Sequence, residues 1–337
     1  MHKTIQHACK CVFFMLPLCL GVASGLVSCT SLTPTAIDVD DCTPSRYEYA
    51  SIHMGSRCSI VLYATSESHA AAIAQAAFDE IAKVEDALSD YRPSSESMRA
   101  TSQPSGTWVQ VSHLLIDVLH KSMEFFQLSD GAFDPTVGRF THLWRQAKKE
   151  SRIPYPIELD EAAHAVGFSF IELDSTNDRV RFMREGMILD FGAIGKGYAA
   201  DKALEVIRMN GITMALVDVG GDIALGDPPM TDTNGWSVSV QAGTGAEWTA
   251  PLHSCAIATS GDLERHYEHE GVRYSHILDP RTGIGVSHRR AVTVIAHDGT
   301  TADSVASIVS VLGESIIPKL EDQFPGIQIL IESGSQY

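Results

Sequence analysis

Long apolar runs are missing from this chain. Its most apolar stretch, Cys11 to Ala23, falls short of the roughly 20 residues that a bilayer-spanning helix needs. Cysteine is scarce where it could staple a fold. Cys9, Cys11, Cys19 and Cys29 crowd the N-terminal segment, which leaves Cys42, Cys58 and Cys255. An odd, widely spaced set describes neither a disulfide scaffold nor a zinc site. Basic charge is short: 25 Lys and Arg stand against 42 Asp and Glu, a formal net charge of -17. This argues against nucleic acid as a partner, because phosphate repulsion needs a local basic patch to overcome it and none is present. Three nucleotide-site signatures fail as well. Asp190-Phe191-Gly192 is preceded by no H-R-D-x-x-x-x-N loop, so it is not a kinase triplet. The interval from Gly192 to Lys196 is short for a Walker A loop, and Gly197 stands where Ser or Thr would bind magnesium. No G-x-G-x-x-G is present.

What remains at that segment is informative. The apolar run Met187-Ile188-Leu189 predicts a strand that delivers Asp190 into a glycine-rich turn carrying Lys196. A helical pattern follows through Ala199, Ala200, Ala203, Leu204, Val206 and Ile207. Glycines let backbone N–H groups approach an anion, and a helix N-terminus favours negative charge. A structural turn between strand and helix would carry the same glycines.

The N-terminal segment separates from the rest. Lys3 and Lys10 precede the apolar stretch, and Leu26-Val27-Ser28-Cys29 follows it. Residues 1–28 are therefore read as a lipoprotein signal peptide, with Cys29 the lipidated N-terminus and residues 29–46 a lipidated, extended tether. An ordinary cleaved signal peptide is the alternative. The folded region is expected over residues 47–337. Within it the spacing predicts a hairpin over Tyr47–Ala64 around Met54-Gly55-Ser56, helices over Ser68–Leu88, Leu114–Leu128, from Val137, and over Leu159–Val166, and a closing helix over Ala302–Leu312. Strands are expected at Ser169–Leu173, Arg179–Met183, Thr213–Val217, Trp236–Gln241, Cys255–Thr259, Val272–Leu278, Ala291–Ala296 and Ile327–Ile331. This irregular alternation predicts the α+β class.

Several constellations could carry chemistry. Asp134 precedes Pro135 and is pushed toward an extended, presented conformation, although an N-cap role fits equally. Val219-Gly220-Gly221-Asp222 and Ala258-Thr259-Ser260-Gly261 allow close backbone approach to a ligand, or simply turn. Strand alternation would put Tyr274, His276 and Leu278 on one face ahead of Asp279-Pro280-Arg281-Thr282-Gly283, with His276 either an acid–base group or a structural histidine. His266 and His269 lack a third ligand and point to a solvated hairpin tip. Asp303 and Ser307 share a helix face and could converge on a hard cation, or Asp303 could simply favour the helix dipole.

Taken in order from about Tyr49 to Ile331, these segments, with Leu88-Ser89-Asp90-Tyr91, resemble the ApbE family of bacterial FAD:protein FMN transferases. The resemblance implies a single ApbE-like, T-fold-like domain of mixed and antiparallel sheets packed with helices. It implies transfer of FMN from FAD to a Thr or Ser hydroxyl of an acceptor flavoprotein, a subunit of a membrane redox complex, through a phosphoester bond with release of AMP. Magnesium is implied as cofactor and FAD as substrate. Carried onto this chain, Met54 and Tyr91 would pack on the isoalloxazine, and Ala132, Phe133 and Asp134 would line its pocket. Asp190, Lys196, Asp222 and Leu278 would contact FAD. The Ala193 carbonyl, Asp303 and Ser307 would hold magnesium, and His276 or Asp303 would serve at the scissile phosphate. Ser307 stands where Thr is usual, which keeps the hydroxyl. Many members are lipoproteins facing the periplasm, so the resemblance implies lipid anchoring on the extracytoplasmic side of a membrane. A periplasmic FAD pyrophosphatase and a non-enzymatic FAD-binding lipoprotein are the rival readings.

Overall fold

The computed structural model describes residues 43–229, 234–241, 247–261, 266–287 and 290–333. Cys29, the leader and residues 29–42 of the tether lie outside the described residues. The expected hairpin opens the main sheet: β1 (Ser45–His53) and β2 (Ser56–Ala64) pair antiparallel from Ser45–Ala64 down to His53–Ser56. Both turn residues are left-handed, Met54 at φ 50° and Gly55 at φ 67°. That is the backbone a two-residue hairpin turn requires, and Met54 adopts it without glycine's freedom. Five more strands then cross the sheet in chain order: β3 (Ala215–Val219), β4 (Asp222–Leu225), β5 (Ala256–Gly261), β6 (Arg290–Ala296) and β7 (Gln328–Ser333). Every neighbouring pair is antiparallel.

Side-chain alternation divides these strands between two cores. Cys58, Ile60 and Leu62 of β2, Val217 and Val219 of β3, and Val292 and Val294 of β6 face the helices. Val61, Leu225, Ile257 and Ile295 face the other way, against Trp236 and Val238 of a separate hairpin, Trp236–Gln241 paired with Glu247–Leu252. The helices are α1 (Glu67–Leu88), α2 (Glu96–Thr101), α3 (His113–Leu128), α4 (Gly138–Lys149), α5 (Pro156–Ala163), α6 (Gly195–Met209), α7 (Gly299–Leu312) and α8 (Ile317–Gln323). α1, α6 and α7 contribute Ile73, Ile81, Ala199, Ala203, Val305 and Val309 to the larger core. A smaller sheet of residues 108–110, 179–182 and 171–174 stands apart from the main one. Helices packed on antiparallel sheets realise the expected α+β class.

Four local expectations change. α5 begins at Pro156, three residues ahead of the periodic pattern, because Pro occupies the first turn and Glu158 Oε2 accepts the Tyr155 N–H at 2.8 Å. α7 likewise begins at Gly299, because Asp298 caps it by accepting Thr301 N–H at 2.8 Å. Met187-Ile188-Leu189 is not a strand: Ile188 makes only an isolated bridge with Val137, while Met187 and Leu189 are buried in the core. The strand expected over Val272–Leu278 breaks at His276, leaving Val272–Ser275 and Leu278–Asp279. Ser275 Oγ accepts the Ile277 N–H at 3.0 Å, a local turn that competes with the ladder. Tyr274, His276 and Leu278 therefore do not share one strand face.

α6 and α7 meet backbone to backbone. A Cβ on Gly299 would lie 2.6 Å from the Gly197 carbonyl oxygen, and one on Gly197 would collide with the Gly299 carbonyl. No side chain fits there without moving a helix. Gly197→Ala is therefore expected to cost about 1–3 kcal/mol through overpacking, read as a lower denaturation midpoint at unchanged m-value.

Candidate active site

The turn after Leu189 runs directly into the first turn of α6, with Asp190 N–H bonded to the Pro135 carbonyl at 2.7 Å and Gly192 N–H to Asp190 Oδ1 at 2.8 Å. The Asx turn fixes the loop that carries Ala193, whose side chain is half-buried. Three other segments converge on the same helix end. A Cβ on Gly195 would sit 3.5 Å from the Met54 methyl, and one on Gly220 would sit 2.7 Å from Ser56 Cβ and 3.8 Å from Lys196 Cδ. The β1–β2 turn and the β3–β4 turn thus close around the start of α6.

Lys196 points into this junction and pairs with buried Asp222, the first residue of β4. Asp303, also buried, arrives from α7 and accepts the Gly197 N–H at 3.2 Å. Burial pushes the Asp222 carboxyl well up, the neighbouring Asp303 adds to the effect, and Lys196 opposes it. Asp222 is thus coupled both to the Lys196 ammonium and to the Asp303 carboxyl. Ser307 lies one turn beyond Asp303 on α7 and is half-buried. Among the described residues, no group of three or more His, Cys, Asp or Glu gathers as a metal site.

A second group surrounds Tyr91. Its ring is 73 % exposed, and the Arg145 guanidinium carbon lies 4.0 Å from the ring centroid. Arg145 also pairs with Asp90, and reaches Asp190 Oδ2 at 3.4 Å; His142 Nε2 lies 3.2 Å from Asp90 Oδ2. Burial opposes ionisation of Asp90, but the bonds from His142 and Arg145 outweigh it and hold the carboxyl below its ordinary value. Asp190 moves the other way, raised by burial and by the charge on Asp90. Tyr91 and Asp190, both expected from the sequence, are linked by a residue the sequence reading passed over. Arg145 and His142 lie three apart on α4, directly after the Gly131–Gly138 segment; their helical spacing was the signal available.

In the Gly131–Gly138 segment, Asp134 Oδ1 accepts Thr136 N–H at 2.8 Å and Thr136 Oγ1–H at 2.6 Å, and Oδ2 accepts Phe168 N–H at 3.0 Å. The carboxylate braces the loop, and burial raises its pKa against those bonds. Ala132 and Phe133 are buried, with Phe133 packed on Phe125 at 5.6 Å between centroids. Gly131, Asp134, Phe140, Leu159, Pro280 and Thr282 line a cleft of about 440 Å³. Leu278 is buried beside Phe140. His276 is exposed in the bend between its two short strands.

The profile of the ApbE family matches residues 54–331. The chain belongs to the ApbE family. An FAD:protein FMN transferase of Treponema pallidum is 29 % identical over 95 % of this chain and 91 % of that protein. The enzyme of the same name in Escherichia coli K12 is 30 % identical over 67 % of each chain. Among solved structures, Pseudomonas stutzeri flavinyl transferase ApbE in its apo form aligns with TM-score 0.77 at 25 % identity, covering 87 % of this chain and 93 % of that one. The ApbE protein of Thermotoga maritima aligns with TM-score 0.74 at 31 % identity, covering 86 % and 97 %. An ApbE-family fold thus carries the Lys196–Asp222–Asp303 centre. Lys196→Met, which strands a buried carboxylate, is expected to destabilise by about 3–5 kcal/mol. Lys196→Met/Asp222→Asn should cost less than the sum of the single variants, by more than about 0.5 kcal/mol in a denaturation cycle.

Proposed function

We propose that the chain is an FAD:protein FMN transferase that moves FMN from FAD to a Thr or Ser hydroxyl of an acceptor flavoprotein, with magnesium as cofactor. The observation that carries this reading is the convergence of Lys196, Asp222 and Asp303 at the N-terminus of α6, within reach of Met54 and a short distance along the chain from Asp190. Bound at this end of α6, the FAD pyrophosphate meets the helix dipole and the Lys196 ammonium. Tyr91 offers an open ring face for the isoalloxazine, and Arg145, stacked on its other face, also reaches Asp190.

The acceptor oxygen attacks the FMN-side phosphorus, forming a P–O ester bond while the bond from that phosphorus to the bridging oxygen breaks. AMP departs with the bridging oxygen. The hydroxyl proton passes to a base, for which Asp303 and His276 are the candidates. Charge grows on the bridging and equatorial oxygens, and Lys196 is placed to offset it. Asp303, the Ser307 hydroxyl and the Ala193 carbonyl would be the hard oxygen donors to magnesium, which takes one or two carboxylates and completes its shell with phosphate and water. Bound there, magnesium supplies charge neutralisation at the phosphoryl oxygens. The Leu26–Cys29 segment supports a lipid anchor at Cys29 and, with it, action on the extracytoplasmic side of a membrane upon an acceptor subunit of a membrane redox complex.

Incubation with FAD, magnesium and an acceptor protein is expected to yield FMN fluorescence that survives denaturing electrophoresis, with AMP released in equal amount. Intact FAD binding with no covalent FMN on any acceptor overturns the reading, and FMN plus AMP formed without acceptor identifies a pyrophosphatase. Asp303→Ala should lower turnover at least about 100-fold while FAD remains bound. Tyr91→Ala should weaken FAD by roughly 2- to 10-fold, the value of one aromatic stack.

A further inference from the structure

Asp201 takes no part in the junction just described, yet it holds one of its members. It lies one turn beyond Gly197 on α6, on the same side of the helix. Its Oδ1 accepts Gly299 N–H at 2.6 Å, and its Oδ2 accepts Thr300 N–H at 2.8 Å and Thr300 Oγ1–H at 2.6 Å. These donors are the first residues of α7. The helix already has its own cap, since Asp298 accepts Thr301 N–H at 2.8 Å and Thr301 Oγ1–H at 3.0 Å. Asp201 adds the Gly299 and Thr300 N–H groups to the one that Asp298 caps. What distinguishes Asp201 is that it reaches across from another helix, so its bonds fix where α7 lies relative to α6.

The other end of the same contact is Gly197 N–H on Asp303 Oδ2. Two positions one turn apart on α6, Gly197 and Asp201, therefore grip two places one turn apart on α7, Asp303 and Gly299–Thr300. The backbone contact of Gly197 with Gly299 lies between them. Asp201 itself lines a separate cleft of about 600 Å³ with Lys121, Lys202, Arg208 and His297. None of Met54, Tyr91, Asp190, Lys196, Asp222 or Asp303 lines that cleft.

We infer that Asp201 is a positioning residue: by clamping the N-terminus of α7 to α6 it sets the register of Asp303 and Ser307 against Lys196, without touching FAD. The inference rests on the reading of Asp303 and Ser307 as magnesium and phosphate-facing groups. A clamp of this kind resembles the outer partners that orient a metal ligand, whose loss costs about 10- to 100-fold in metal affinity or activity.

The test compares two caps of one helix. Asp201→Asn keeps the shape but turns an amide NH2 toward the Thr300 donors, whereas Asp298→Ala removes the ordinary cap alone. For the full-length protein with FAD, the magnesium concentration that half-saturates the metal-dependent rise in Tm is measured, together with kcat and the KM for FAD. Asp201→Asn is expected to raise that magnesium concentration about 10-fold and lower kcat by a similar factor, with the KM for FAD within about twofold. Asp201→Glu should recover part of both losses. Asp298→Ala is expected to lower Tm while leaving the magnesium midpoint unchanged. If Asp201→Asn does not fold, Thr300→Val, which removes one donor from the partner side, should shift the magnesium midpoint in the same direction. An unchanged midpoint in the Asp201 and Thr300 variants, or an equal shift in Asp298→Ala at equal loss of Tm, overturns the inference. An Asp303→Ala protein with undiminished turnover would instead defeat the reading on which it rests, and that result is separable because Asp201 is then intact.

Discussion

Two buried carboxylates and one lysine, drawn from three distant parts of the chain, are held together because α6 and α7 touch without side chains between them. Glycine at both 197 and 299 allows that approach, and the approach brings Asp303 to a backbone donor of α6. A larger residue at either position would separate the helices and with them the charges. Much of the rest serves this contact. The sheet supplies Asp222 at the start of β4, and the β1–β2 turn lays Met54 over the first turn of α6. The Lys196–Asp222 pair is costly in isolation, since desolvation offsets much of the Coulomb gain. Its retention in a junction lined by glycines fits a site kept charged for chemistry and not for stability.

The second centre obeys a different logic. Around Tyr91 one cation serves two acids: Asp90 and Asp190 share Arg145, and His142 bonds to Asp90. The aromatic ring is held from one face by the guanidinium and left open on the other. Such an arrangement orders an exposed side chain before any ligand arrives, which lowers the entropy lost on binding. The segment from Asp190 to Lys196 joins the two centres.

Periodicity carried the sequence reading wherever burial alone decided structure. Ile73, Ala77, Ile81, Val84 and Leu88 line the core side of α1, and Trp236–Gln241 is a strand as its alternation implied. It faltered where a single polar atom redirected the backbone: Glu158 and Pro156 at α5, Asp298 at α7, and Ser275 ahead of His276. Met187 and Leu189 have strand-like side chains but pack as core, and burial by itself does not reveal whether a ladder exists. For the site, the motifs singled out Lys196, Asp222 and Asp303, whereas the bonds that gather them were not legible, because Lys196–Asp222 and Gly197–Asp303 span 26 and 106 residues. Asp134 stands out in the sequence ahead of Pro135, but the partners of its oxygens, Thr136 and Phe168, are set by the folded loop.

The order of the seven strands has a mechanical meaning. β1 is an edge strand, and its Ser45 end pairs with the last residue of β2, at the end of the ladder away from the Met54 turn. Tension on the chain before Ser45 would peel that edge open one hydrogen-bonded pair at a time, toward the turn, instead of shearing the ladder all at once. The residue reached last is Met54, so the β1–β2 edge would open toward the turn that touches the start of α6.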